Sequence, residues 1–216
     1  MTADTMLNHR LNTFTVYRCG ACIIFTIAGI CTWYMCTIAL KKQLDGDTDR
    51  YLTYVTDSNG NYNVKISSKT IGGYMWGIVI LFQLYILFDI ALMCTCSSLF
   101  RKDLMVHHVY ILIIYITFGY NAYIDTQTET FLVMGCALLV AEGLSVLNYT
   151  LRKWKQNLSL WRMSFVIFVR FPLWVGAYYV VHQHFILTSS LMLASAIIYD
   201  INVVYRSWII LKSKIE

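Results

Sequence analysis

Charge is scarce in this chain. Only 13% of its 216 residues are Asp, Glu, Lys or Arg, against about 25% in a soluble domain, which is too few to cover a water-exposed surface. Proline is scarcer still, with Pro172 the single example, so long uninterrupted helices are open to the chain. Cysteine occurs seven times, yet the one long polar stretch, residues 41–70, contains none, which excludes a disulfide framework there. The first eighteen residues are mixed and polar, with Arg10 and Arg18, and the apolar run that follows is long enough to span. It reads as a signal anchor and not as a cleavable leader. The formal charge of +5 gathers near the ends of apolar runs, with no basic-aromatic stripe, so nucleic acid is not expected as a partner.

Hydrophobic residues make up 58% of the chain and the mean hydropathy is +0.57. Crossing a ~30 Å hydrocarbon layer takes about 20 apolar residues in a helix. Six stretches qualify: Cys19–Leu40, Ile71–Cys94, Met105–Ile124, Thr130–Tyr149, Trp161–His182 and Phe185–Leu211. They are continuous and not alternating, which favours helices over a barrel. The expected fold is an all-α membrane protein with about six transmembrane helices bundled around a cytosol-facing cavity. Lys and Arg before the first run, between the second and third, between the fourth and fifth, and after the last place both termini in the cytosol. Lys41 and Lys42 run against that trend. This divides the chain into a cytosolic N-terminus (1–18), a first span (19–40), a lumenal loop (41–70), a helical core (71–211) and a cytosolic tail (212–216). Lys212 and Lys214 stand fifth and third from the end, a spacing that resembles a dilysine endoplasmic-reticulum retrieval signal. The sequons at Asn148 and Asn157 fall on the expected cytosolic side.

Within residues 41–70, β-prone segments flank Asn59-Gly60, a pair suited to a type I′ turn. A small hairpin held against the helix ends is expected, with a plain flexible loop as the alternative. Cys19-x-x-Cys22 and Cys94-x-Cys96, at the expected cytosolic border, read as small core residues, with acylation or a metal site as the alternative.

The informative residues are those an apolar span should exclude. Asp89, Glu142, Arg170 and Asp200 lie within spans, and His107 and His108 near the start of another. Left unpaired, the four charges would cost on the order of 10 kcal/mol, so they must pair, face the interior or become neutral. At 1.5 Å per residue, all fall on the cytosolic side of the midplane or close to it. A water-accessible cavity opening to the cytosol accounts for that clustering. Glu142 and Arg170, on consecutive antiparallel spans, are the expected ion pair, and Pro172 is expected to bend the helix beside Arg170. The histidines would balance Asp89 and Asp200. Asp200 also has Asn202 and Arg206 near it, and Ser145, three residues after Glu142, shares its face. Two acids and two histidines suit a metal, but adjacent helical residues point about 100° apart, and no metal ligand set is assigned.

The segments LYILFDIAL (Tyr85, Asp89), DLMVHHVYIL (His107, His108), AEGLSVLNYTLRKW (Glu142, Ser145, Asn148), FVIFVRFPLW (Arg170) and YDINVVYRSWIILK (Asp200, Asn202, Trp208) occur in an order that resembles the TLC domain family. That family includes the ceramide synthases. The resemblance runs from about Ile71 to the C-terminus. The second acidic signature of the synthases is missing: TFLVMGCALLVAEGLSVL holds one acid and no histidine. The resemblance is therefore to the non-synthase branch, whose members look like regulators of membrane lipid composition or endoplasmic-reticulum lipid and cargo proteins. It implies membrane lipids as partners, no required cofactor, and acyl-CoA as a substrate if the chain is an enzyme.

Two functions follow as expectations. In one, a lipid acyltransferase-like enzyme uses His107 or His108 as base or nucleophile, oriented by Asp89, with Arg170 holding charge. Glu142, Asp200, Asn202, Tyr85 and Ser145 complete its binding site. In the other, the same cavity holds a lipid without turnover. A channel ranks last, because no charged residue marks a lumenal half-path.

Overall fold

The computed structural model describes residues 3–47, 51–56, 58, 60, 62–124, 128–143, 158–181 and 186–213. Its helices are α1 (Ala3–Leu44), α2 (Lys69–Thr95), α3 (Lys102–Ile124), α4 (Thr128–Gly143), α5 (Leu158–Phe165), α6 (Phe171–Val181) and α7 (Ile186–Lys212). A π-helical segment, Val166–Arg170, joins α5 to α6. Strands β1 (Leu52–Thr56) and β2 (Tyr62–Ile66) form an antiparallel pair between α1 and α2.

Among the described residues, four segments are long and apolar enough to cross a membrane: Phe14–Leu44, Lys69–Thr95, Leu104–Ile124 and Leu193–Lys212. The outer faces of the helices match a hydrocarbon surrounding. Ile23, Ile24, Ile27 and Ile30 on α1, and Ile80, Leu84, Leu87 and Phe88 on α2, are all exposed. Contiguous apolar surface on this scale does not stay in water. The chain is thus an all-α, membrane-embedded bundle.

The axis of the bundle is α4. Of its 16 residues, 11 are buried, as expected of a helix apolar on every side. It packs against α1, α2, α3, α6 and β2, most extensively against α1. With lipid outside, there is no hydrophobic drive between helices, and close backbone approach through small residues replaces it. Two glycines permit that approach. A Cβ at Gly29 would lie 2.6 Å from the Val140 backbone nitrogen, and one at Gly143 would lie 2.6 Å from the Cys22 carbonyl oxygen. Trp33 Nε1 reaches across the same seam and donates to the Ala137 carbonyl at 2.9 Å.

The hairpin closes one end of the bundle. Leu52 and Val64 are buried with Ala39, Met75, Val79, Leu132, Val133 and Cys136. β2 would otherwise leave unpaired edge donors, and α4 satisfies them. Ile66 N donates to Glu129 Oε2 at 2.8 Å, and Val64 N to Thr130 Oγ1 at 3.3 Å. The Tyr54 hydroxyl donates to the Cys36 carbonyl at 3.0 Å, and burial raises its pKa well above the usual phenol value. The register pairs Thr56 with Tyr62; Asn59, half of the expected Asn59-Gly60 turn, lies outside the described residues. Gly60 does hold a positive φ of 82°.

Two expected boundaries also move. α1 runs well beyond residues 19–40 at both ends, which places Arg18 inside the helix and not ahead of it. The span expected at Trp161–His182 is built from α5, the π segment and α6, with His182 outside the described residues. Pro172 has no N–H to return to the Phe168 carbonyl. The ladder before it widens instead, and Phe171 N bonds the Val166 carbonyl, five residues back. All seven cysteines are free; Cys22 and Cys136 are buried, and Cys31 and Cys94 are exposed.

The α1–α4 seam gives a direct test. Gly29→Ala and Gly143→Ala should each lower stability by about 1–3 kcal/mol through overpacking against backbone. Gly77→Ala, which meets nothing within 4 Å, should leave it unchanged. Thermal unfolding in detergent reads both.

Candidate functional site

At the end of the bundle away from the hairpin, ionisable side chains from six segments form one layer. Arg18 on α1 grips Asp89 on α2 in a two-pronged contact, Nε to Oδ1 and one terminal nitrogen to Oδ2, each 3.1 Å. Asp89 is fully buried and Arg18 nearly so. The Arg18 guanidinium also sits 4.2 Å from the Phe14 ring centroid, a favourable cation–π placement.

His107 and His108 are adjacent on α3, so their rings diverge. His108 turns toward α2, with Nε2 3.1 Å from Asp89 Oδ2 and its ring against Tyr85. Neither His108 nitrogen has an aligned hydrogen-bond partner among the described residues, so this contact is proximity without a directed bond. His107 turns toward α4 and α7. Its Nε2 lies 3.0 Å from Glu142 Oε2, and its ring stacks on Tyr199 with centroids 5.0 Å apart. If Nε2 carries the proton donated to Glu142, Nδ1 keeps the lone pair. No group of three or more His, Cys, Asp and Glu side chains suited to a metal occurs among the described residues.

Arg170 departs from expectation. Its partner is Asp200 on α7, with Nε 3.1 Å from Oδ1, and not Glu142, which His107 takes. The reason is local: the π segment carries Arg170 inward at its last position, against α7. The pair is close but poorly aligned. Arg170 Nε and both Asp200 carboxylate oxygens lack a directed partner among the described residues. Arg170 also stands 5.7 Å from the Tyr199 centroid.

These groups surround a chamber of about 810 Å³. Tyr85, His107, His108, Glu142, Arg170, Asp200 and Asn202 all contribute to its wall. Phe25, Phe82 and Ile86 supply apolar wall from α1 and α2. A smaller hollow of about 50 Å³ lies behind His107 and Glu142, against Trp174 and Ala196. Asp89 is not part of the chamber wall; it backs His108 and holds Arg18. Ser145, with Asn148 and Asn157, lies outside the described residues.

Sequence reasoning missed Arg18, which it counted as an orientation charge ahead of the first span. The signal was present in the charge count: three carboxylates within spans, Asp89, Glu142 and Asp200, faced Arg170 alone. With Arg18 included, two guanidiniums and three carboxylates leave one negative charge, which a single proton on a histidine cancels.

The fold and site define an all-α membrane bundle with a layer of ionisable side chains, most of which line an internal chamber. Comparison with family models, with curated proteins and with solved structures found no match.

The Arg18–Asp89 contact is testable by a mutant cycle. Arg18→Met or Asp89→Leu alone should cost about 3–5 kcal/mol, because each strands a buried charge, whereas the double variant should recover most of it. Equilibrium unfolding in mixed micelles gives the coupling; additive losses would show that the pair is not coupled.

Proposed function

We propose that this is a multi-pass membrane protein of lipid homeostasis, in which the chamber binds a long-chain lipid or acyl group and His107 serves as a general base for acyl transfer. The observation that carries this is the His107–Glu142 hydrogen bond in the wall of a chamber that is part apolar and part polar. Apolar walls with a few convergent polar groups are the usual form of a small-molecule site, commonly about 300–1,000 Å³. Glu142 orients the imidazole. A proton taken from an attacking lipid hydroxyl would reside on His107 and bring the layer to neutrality, then pass to the leaving group as the acyl bond to it breaks. This differs from the expected role of Asp89, whose charge is already met by Arg18.

The resemblance to the TLC family's non-synthase branch supports the lipid reading. It belongs with a six-span topology in which α4 and the α5–α6 run also cross, both termini are cytosolic, and the protein resides in the endoplasmic reticulum. Acyl-CoA is the activated acyl donor to try first, and no cofactor is invoked. A second reading, lipid binding without turnover, draws on the way Asp89, Glu142 and Asp200 each lie against a cation or imidazole, as they would in a purely structural layer.

Lipid mass spectrometry on purified, reconstituted protein separates the two. With an acyl-CoA donor, wild type should form acylated lipid. His107→Ala should lower the rate by about 10²–10⁴ while retaining bound lipid, and Glu142→Gln should lower it less. Intact co-purified lipid with no product from wild type would select the second reading. Absence of any bound lipid would reject both.

A further inference from the structure

The chamber has a floor, and the floor slopes. On the hairpin side of the ionisable layer, four helices each contribute one apolar side chain to a single buried cluster: Phe25 on α1, Phe82 on α2, Ile111 on α3 and Leu139 on α4. Ile111 and Leu139 stand three residues from His108 and Glu142, about 4.5 Å at the helical rise. Phe25 and Phe82 stand seven residues from Arg18 and Asp89, about 10 Å. Contacts of Asp89 with Arg18 and His108, and of His107 with Glu142, set these starting points at one level. The chamber is therefore deepest on its α1–α2 side, where Phe25 and Phe82 are the innermost lining residues among those described. Their rings close it. They meet edge to face with centroids 5.0 Å apart. Phe82 also lies 5.4 Å from the Tyr115 ring, whose hydroxyl donates to the Gly135 carbonyl at 2.9 Å. Phe25 is 3% exposed and Phe82 2%. Beyond them, Val79 and Met75 belong to the core under the hairpin. A core packed at interior density leaves no path for further methylenes.

We propose that Phe82, backed by Phe25, sets the length of the acyl chain the chamber accepts, and that this chain is of medium length, roughly eight to ten carbons. This rests on the reading of the chamber as a lipid site and narrows its acyl group. An extended chain advances about 1.25 Å per carbon, given C–C bonds of roughly 1.5 Å. The depth below the ionisable layer takes about eight such steps, with the carbonyl end at the level of His107. Ile86, between Asp89 and Phe82 on the same helix, lines the wall partway down, so its bulk fixes how much of that depth is open.

The test uses the full chain in phosphatidylcholine nanodiscs and a series of saturated 1-monoacylglycerols, from butanoyl to palmitoyl. Native mass spectrometry reads the bound lipid, and Kd is referred to the free aqueous concentration. Each methylene buried should tighten binding about fourfold until the chain meets the rings. Near decanoyl the gain should stop, while uptake into empty nanodiscs goes on rising with length. Phe82→Ala should move the break to longer chains, and Ile86→Phe should move it to shorter ones. If Phe82→Ala does not fold, Phe82→Leu takes its place, and the wild-type break is read in any case. An unbroken rise through palmitoyl overturns the proposal but leaves the lipid chamber standing. A break that no folded variant moves also overturns it, because the limit then lies elsewhere. Binding at no chain length removes the lipid chamber as well.

Discussion

A charge inside an apolar bundle must find its opposite, because bulk water is not there to solvate it. That constraint organises one end of this protein. Arg18 with Asp89 ties α1 to α2, His108 brings α3 against the same carboxylate, His107 with Glu142 ties α3 to α4, and Arg170 with Asp200 ties the π segment to α7. Each contact joins a different pair of elements, so the layer acts as a set of cross-braces. The chamber lies among these braces, walled by His107, His108, Glu142, Arg170 and Asp200. The architecture that neutralises the charges is the architecture that creates the hollow.

The two ends of the bundle solve different problems. At the hairpin end the task is to finish a dry core: Leu52 and Val64 plug it, and Glu129 and Thr130 receive the strand's spare donors. Between the ends, α1 and α4 touch backbone to backbone at Gly29 and Gly143. Gly143 follows Glu142 directly, so the tightest helix contact fixes the height and rotation of the residue that bonds His107. Packing and site geometry are one constraint there.

Much of this was legible in the chain. Long apolar runs gave the helices, because hydrocarbon thickness imposes a length that few other structures share. The intramembrane acids, the arginine and the histidines announced themselves through the cost of burying them, and the wall of a single chamber holds all of the described ones except Asp89. Pairings were not legible. Depth along a span says which residues share a level, but not how each helix is rotated, and rotation decided that Glu142 met His107 and Arg170 met Asp200. Arg18 was missed because a cation at the edge of an apolar run looks the same whether it faces water or a buried carboxylate. The strands of the hairpin followed from composition, but their seating against α4 through Val64 and Ile66 did not.

The π segment has a consequence of its own. It holds one residue more than an α-helix would over the same advance, and such a bulge shifts the phase of everything beyond it by roughly one residue, about 100°. The faces of α5 and α6 are thereby uncoupled: Arg162 borders the chamber while Trp174 borders the smaller hollow. Removing a single amino acid between Val166 and Phe171 would restore an even spiral and swing one half of the run away from its neighbours. In this stretch the count of residues, and not only their kind, carries information.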